Sequence, residues 1–225
     1  MIKAVLFDLD ETLLVRRAAI VAFIGDQYDR YAAALANIGR DRFITRFLAL
    51  EDEGRTPKVT VYPALVAELG IAAPSAAQLL ADYQTLYPRY ATLSTGAKDT
   101  LVALRASGLK LGVVTNGNGT VQNGKIDATG LRPLLDIVLV SEVEGLRKPD
   151  IAFFNLALQR LGVAAAQTMF VGDNPAVDVE GARNAGLGAV WYHSTTNWPP
   201  GLAPPAHAIT ALPELIALAG RLGSP

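Results

Sequence analysis

From residue 92 onward the chain alternates, in short strides, between apolar runs and helical patterns, and this rhythm constrains the fold more than any other feature. The apolar, partly β-branched runs are Leu109–Val114, Ile137–Val140, Thr168–Val171 and Ala189–Tyr192, with a weaker one at His207–Ile209 and a forerunner at Ala4–Phe7. Runs this short and this uniformly apolar suit strands buried on both faces of a parallel sheet. Helical patterns lie between them at Ala97–Ser107, Ile151–Leu161 and Val177–Ala185, each closed by a glycine (Gly108, Gly162, Gly186). Strand and helix joined this tightly predict right-handed crossovers and an α/β fold with a doubly wound parallel sheet.

Residues 15–91 break the rhythm. They are rich in Ala, Leu, Arg and Tyr, and contain no convincing buried strand. Helices are expected within Arg16–Asn37, Asp41–Glu53, Val59–Leu69 and Ala76–Tyr87, punctuated by Gly39, Gly54, Pro57, Gly70 and Pro74. So long a stretch between one strand and the next unit exceeds an ordinary crossover. It therefore reads as an inserted helical cap, with residues 1–14 and 92–225 forming the core; the plainer alternative is an extension of the helical layer. Tyr83, Tyr87 and Tyr90 fall on one helical face of it. Pro199, Pro200, Pro204 and Pro205 mark a loop before a terminal helix near Pro213–Leu222.

Composition narrows the classes of function. Hydrophobic residues make up 51% of the chain and charged ones 18%, enough to bury a sizeable core. Twenty Lys plus Arg stand against 21 Asp plus Glu, so nothing in the balance favours nucleic acid or an anionic membrane as partner. There is no cysteine, which excludes disulfides, thiolate metal sites and a cysteine nucleophile, and suits a reducing compartment. Apolar runs such as Ala18–Ile24 fall far short of the ~20 residues needed to span a bilayer. The opening Met1–Ala4 leads straight into Asp8 and Asp10, so a cytoplasmic protein is expected.

Four groups of residues sit where parallel strands should end at their carboxyl edge, the place where open α/β sheets hold ligands. Asp8 and Asp10 sit two apart at the end of the first strand, where side chains project from the same face, so the two carboxylates can converge; like charges so close call for a divalent cation or a proton, although an Asp-rich turn capping a helix fits as well. Thr115-Asn116-Gly117 offers a hydroxyl and amides to an anion, or is a plain turn. Lys148, before Pro149 and Asp150, can neutralise a carboxylate and a phosphoryl group, or simply begin a helix in solvent. Asp173 ends an apolar strand and suits a metal ligand. Asp178 either complements a helix dipole or holds Lys148.

In this order, Asp8-x-Asp10-x-Thr12, then Thr115, then Lys148, then Asp173 and Asp178, the chain resembles the haloacid dehalogenase-like hydrolase superfamily over nearly its whole length, including the helical cap of one large subgroup. The resemblance implies a Rossmann-like core and a magnesium-dependent phosphatase acting on a small phosphate ester. Asp8 would be the nucleophile and Asp10 the general acid and base; Thr115 would bind the phosphoryl group with the help of the Asn116 amide, and Lys148 would steady Asp8. Thr12 would steady the loop on the substrate side. Magnesium would be held by Asp8, by the Asp10 backbone carbonyl and by Asp173, with Asp178 behind them. Glu11 stands where many relatives carry Gly. Arg17, following the first motif where a cap hinge should lie, is a candidate substrate contact or a solvated hinge residue. A homodimer through the cap would not be surprising.

Rival readings remain. A haloacid dehalogenase shares nucleophile and fold, but such relatives generally lack an acid at the place of Asp10; a phosphomutase would retain it. Gly119–Lys125 matches the start of a nucleotide phosphate-binding loop, then fails at Ile126, and Gln122 spoils a dinucleotide fingerprint begun by Gly117 and Gly119. A non-catalytic module binding a phosphate ester or nucleotide is the remaining class. His193 and His207 receive no role, and Trp191 and Tyr192 read as strand-end packing.

Overall fold

The computed structural model describes residues 1–193 and 197–223. It forms two compact units, Met1–Val15 with Thr92–Pro225, and Arg16–Ala91.

The first unit is built on six parallel strands: β1 (Ala4–Phe7), β2 (Lys110–Thr115), β3 (Ile137–Val140), β4 (Thr168–Gly172), β5 (Gly188–Tyr192) and β6 (His207–Ile209). Their order is β3-β2-β1-β4-β5-β6, the doubly wound arrangement. After β3 the chain crosses back to lay β4 beside β1, so the winding direction reverses between those two strands. Such a switch point opens a crevice beyond the strand ends, because the flanking helices leave in opposite directions. Phe7 lies opposite Val113 on one side and Val171 on the other, so β1, β2 and β4 finish almost level. All four residues of β1 are buried, which explains why the strand carries no polar alternation.

Six strands therefore stand where the apolar runs placed them, to within a residue or two. Two helices differ from expectation. Gly119–Ala128 is a helix that its glycine and asparagine content conceals; Asn118 caps it by accepting from the Val121 N–H at 3.1 Å. The expected Val177–Ala185 helix instead begins as a wide π-turn over Pro175–Glu180, in which the Val179 N–H reaches back to the Asn174 carbonyl. One face of the sheet packs Leu6, Val114, Leu139 and Phe170 against Phe153, Phe154 and Leu158 of helix Ile151–Leu161. The Phe154 and Phe170 rings meet edge-on, 5.1 Å between centroids.

The helical unit contains helices Arg16–Arg30, Arg40–Glu51, Lys58–Leu69 and Ala76–Leu86. Its own core is aromatic: Phe23 packs edge-on against Tyr83 and Tyr87, and Phe47 lies against Tyr62. The buried Gln27 is fully engaged, donating to the Leu79 carbonyl and Asp82 and accepting from the Tyr62 hydroxyl, each at 2.9 Å. Arg17 lies exposed in the first turn of Arg16–Arg30, while Arg16 pairs with Glu51. Among the described residues no helix is long and apolar enough to cross a membrane.

Because Phe154 supports the sheet beneath β4, Phe154→Ala is expected to cost about 3–5 kcal/mol of stability, read as a lowered urea midpoint.

Candidate active site

β1 ends at Phe7, and the next residue still pairs: the Asp8 N–H donates to the Val171 carbonyl at 2.9 Å, fixing Asp8 at the tip between β2 and β4. The chain then leaves the strand. Leu14 N–H returns to the Leu9 carbonyl (2.9 Å), Glu11 N–H bonds the Leu14 carbonyl (2.7 Å), and Glu11 takes a left-handed φ of 59°. That conformation costs a side-chain-bearing residue about 1–2 kcal/mol, the physical reason a glycine suits this position. Thr12 is wholly enclosed, and its hydroxyl has no hydrogen-bond partner among the described residues.

β1 ends at Phe7, so strand periodicity does not itself place Asp8 and Asp10, yet Asp10 lies near enough for its charge to help raise the Asp8 carboxyl. Each carboxylate meets its own lysine.

Asp8 faces Lys148. Lys148 is only 2% exposed, and its Nζ donates to Asp8 Oδ1 at 2.6 Å and to Asp178 Oδ1 at 2.7 Å and lies 5.2 Å from the centre of the Phe170 ring. The lysine is held through its backbone: the Asn116 amide donates to the Lys148 carbonyl and accepts from the Lys148 N–H, both at 2.9 Å. The Asn116 side chain thus spans β2 and the lysine loop. Asp178 Oδ2 accepts the Asn174 N–H at 3.0 Å. Its approach depends on Gly172, where a Cβ would fall 2.5 Å from the Asp178 side chain.

Asp173 completes the group. Carboxylate oxygens of Asp8, Asp173 and Asp178 lie within 4.8 Å of one another, all buried. The Trp191 indole N–H anchors the Asp173 carbonyl at 3.0 Å. Burial pushes the Asp173 carboxyl up to about 8, and repulsion from Asp8 and Asp178 adds to it. Burial likewise raises Asp8 to about 7 against the pull of Lys148. For Lys148, burial opposes the charge, but Asp178 and Asp8 outweigh it and hold the pKa above its ordinary value. One ammonium among these carboxylates leaves negative charge uncompensated in a dry place. A hard divalent cation with oxygen ligands fits that deficit. Both Asp178 oxygens are already engaged, so Asp8 and Asp173 are the carboxylates suited to hold it.

Asp10 faces a second set of groups, which sequence reasoning missed. Lys125 Nζ donates to both Asp10 oxygens at 2.8 Å, and Gln122 Nε2 bridges Asp10 Oδ2 (3.0 Å) and Thr115 Oγ1 (2.8 Å). Gln122 and Lys125 stand one turn apart on the helix Gly119–Ala128. The signal was a polar pair at helical spacing, hidden because the segment did not read as a helix. The same helix speaks against a nucleotide loop: the Gly119 N–H is taken by Glu142 at 2.6 Å and the Val121 N–H by Asn118. Arg17 belongs to the helical unit.

Two expectations follow. Gly172→Ala, which would drive a Cβ into Asp178, should cost about 1–3 kcal/mol and weaken magnesium binding in calorimetry. The raised carboxyls make the folded, metal-free chain hold more protons than the unfolded one from the ordinary 3.8 up to about 8, so stability is lost as pH rises through that window. A divalent cation held there would bind the ionised form, so the gain in melting temperature on adding magnesium is expected to be larger near about pH 8 than near about pH 6, with Asp173→Asn flattening both trends.

A sequence model described as haloacid dehalogenase-like hydrolase matches residues 2–186. The chain is 40% identical over 119 residues to the phosphoserine phosphatase of Thermus thermophilus, covering 53% of this chain and 48% of that protein. It thus spans about half of that relative's length. It is 31% identical over 203 residues to the ribulose-1,5-bisphosphate 5-phosphatase of Halopiger xanaduensis, covering 85% of each. Among solved structures, a HAD-hydrolase of Bacillus subtilis bound to magnesium superposes with a TM-score of 0.78 at 27% identity, over 97% of this chain and 98% of that one. The 2-haloacid dehalogenase of Pseudomonas syringae superposes with a TM-score of 0.72 at 29% identity, over 98% and 99%.

Proposed function

The chain belongs to the haloacid dehalogenase-like hydrolases, and on the strength of its buried Asp8–Lys148–Asp178 group we propose that it is a magnesium-dependent phosphomonoester hydrolase acting through a phosphoaspartate on Asp8. An Asp8 oxygen attacks phosphorus as the bond to the leaving oxygen breaks, and Asp10 delivers a proton to that oxygen. Asp10 then takes a proton from water as the water oxygen attacks phosphorus, the Asp8–phosphorus bond breaks, and inorganic phosphate leaves. Lys148 orients Asp8 for attack and opposes the protonation that burial favours. Thr115 and the Asn116 backbone amide receive the phosphoryl oxygens, and Asp178 holds Lys148. Asp8, Asp173 and the Asp10 backbone carbonyl would hold the magnesium, which when bound supplies positive charge opposite the phosphoryl oxygens.

The two phosphatases named above carry the names of small phosphorylated molecules, phosphoserine and ribulose-1,5-bisphosphate, which supports a small soluble phosphate ester as substrate; we place it in the sugar-phosphate or nucleoside-monophosphate class. We assign residues 15–91 the role of a cap that excludes water and sets substrate choice, with Arg17 as a substrate contact, while the enclosed Thr12 steadies the loop after Asp10. The likeness to a haloacid dehalogenase favours a second reading, displacement of halide by Asp8. Asp10 favours the first, because halide departs without a proton whereas an alkoxide needs one. A phosphomutase would share the first step and pass the phosphoryl group to a second substrate hydroxyl.

The deciding measurement is p-nitrophenyl phosphate hydrolysis with magnesium and with chelator, by wild type and Asp8→Asn, followed by phosphoserine, sugar phosphates, nucleoside monophosphates and 2-chloropropionate. Turnover is expected to need magnesium and to fall by about three orders of magnitude or more in Asp8→Asn. Metal-independent turnover, or chloride release from 2-chloropropionate alone, would overturn the phosphatase reading.

A further inference from the structure

The helix Gly119–Ala128 carries the most informative feature outside the expected motif residues. We propose that Lys125 and Gln122 form a clamp that positions the Asp10 carboxylate for proton transfer and turns the Thr115 hydroxyl toward the phosphoryl group. The inference rests on the phosphatase reading and adds two positioning residues to it.

Lys125 is 3% exposed and Gln122 2%, whereas the Asp10 side chain is 22% exposed and open to the solvent edge. A carboxylate at such a rim can rotate into water. Equal 2.8 Å contacts from one ammonium to both oxygens remove that freedom. The lysine also donates to Gln122 Oε1 at 2.9 Å, which fixes which end of the amide is oxygen. Gln122 Nε2 must then point its two hydrogens outward, one to Asp10 Oδ2 and one to Thr115 Oγ1. Accepting from Gln122 leaves the Thr115 hydroxyl its own hydrogen to donate, which here makes only a long 3.4 Å contact to the Asn116 carbonyl that a phosphoryl oxygen can replace. The clamp thereby sets a proton-transfer carboxylate and an anion-binding hydroxyl in one frame, both tied to a single helix face.

A buried lysine paired with a carboxylate also stabilises a fold without any catalytic purpose. Pre-steady-state kinetics separates the roles. With p-nitrophenyl phosphate the leaving group departs with little help, so a misplaced Asp10 should leave phosphoryl transfer to Asp8 fast and slow only the attack of water. Lys125→Met is therefore expected to show a burst of nitrophenolate equal to the enzyme present, followed by steady turnover about 100-fold below wild type with KM little changed. With β-glycerol phosphate, whose alkoxide needs a proton, the same variant should be slowed without a burst. Combined with Asp10→Asn, it should add nothing to the Asp10→Asn defect.

The clamp is overturned if Lys125→Met turns over within threefold of wild type, if burst and steady rate fall together, or if its defect multiplies with that of Asp10→Asn. Circular dichroism checks folding. Should Lys125→Met fail to fold, Gln122→Met takes its place: it keeps the Lys125–Asp10 pair but removes the donors to Asp10 Oδ2 and Thr115 Oγ1, so a smaller loss of steady turnover, about 10-fold, is expected, and turnover within threefold of wild type overturns the clamp. Wild type without phosphate-ester turnover would defeat the phosphatase reading and the clamp with it; an active wild type with an unaffected Lys125→Met defeats the clamp alone.

Discussion

A lysine ammonium buried between two carboxylates is the interaction around which the catalytic end of this molecule is arranged. Lys148 Nζ sits 2.6 Å from Asp8 and 2.7 Å from Asp178, in a place too dry for any of the three charges to stand alone. Removing either partner would leave charge without compensation, so each of the three is conditional on the other two. Their spacing in the chain is wide, at the ends of β1, of the loop before helix Ile151–Leu161, and of the turn after β4. Only the sheet brings them together.

The sheet does so through a topological consequence. Reversal of winding between β1 and β4 leaves the ends of those strands uncovered by crossover connections, and the level register of β1, β2 and β4 brings their tips to one edge. Close approach then matters more than reach. Gly172 has no Cβ because the Asp178 side chain occupies that space, and the wide turn at Pro175–Glu180 delivers Asp178 back over the strand. Asn116 ties β2 to the backbone of Lys148, so that the lysine's position does not rely on its long side chain alone.

Charge is distributed in two separate pairings. Asp8 and its neighbours form an acid-rich pocket whose carboxyls are driven toward neutrality by burial, a deficit that a divalent cation suits. Asp10 meets Lys125 instead. Keeping the two acids with different cations gives them different electrostatic surroundings, which suits a nucleophile and a proton carrier working in succession.

The sequence by itself determined the sheet, because strands buried on both faces must be apolar throughout, and each of the six runs is legible for that reason. It also showed Asp8, Asp10, Thr115 and Asp173 just at or after strand ends, since local order alone places a residue after an apolar run, and Lys148 and Asp178 at the entries of the helices that follow. Glycine-rich Gly119–Ala128 was not legible as a helix: its stability comes from the Asn118 cap, from Glu142 and from packing of Val121 and Ile126, contacts that helix propensity does not record. For the same reason Gln122 and Lys125 read only as parts of failed nucleotide motifs and not as partners of Asp10. That Asp10 pairs with Lys125 was decided by tertiary structure alone, because partners 115 residues apart meet only when the crossover helix is laid against the sheet.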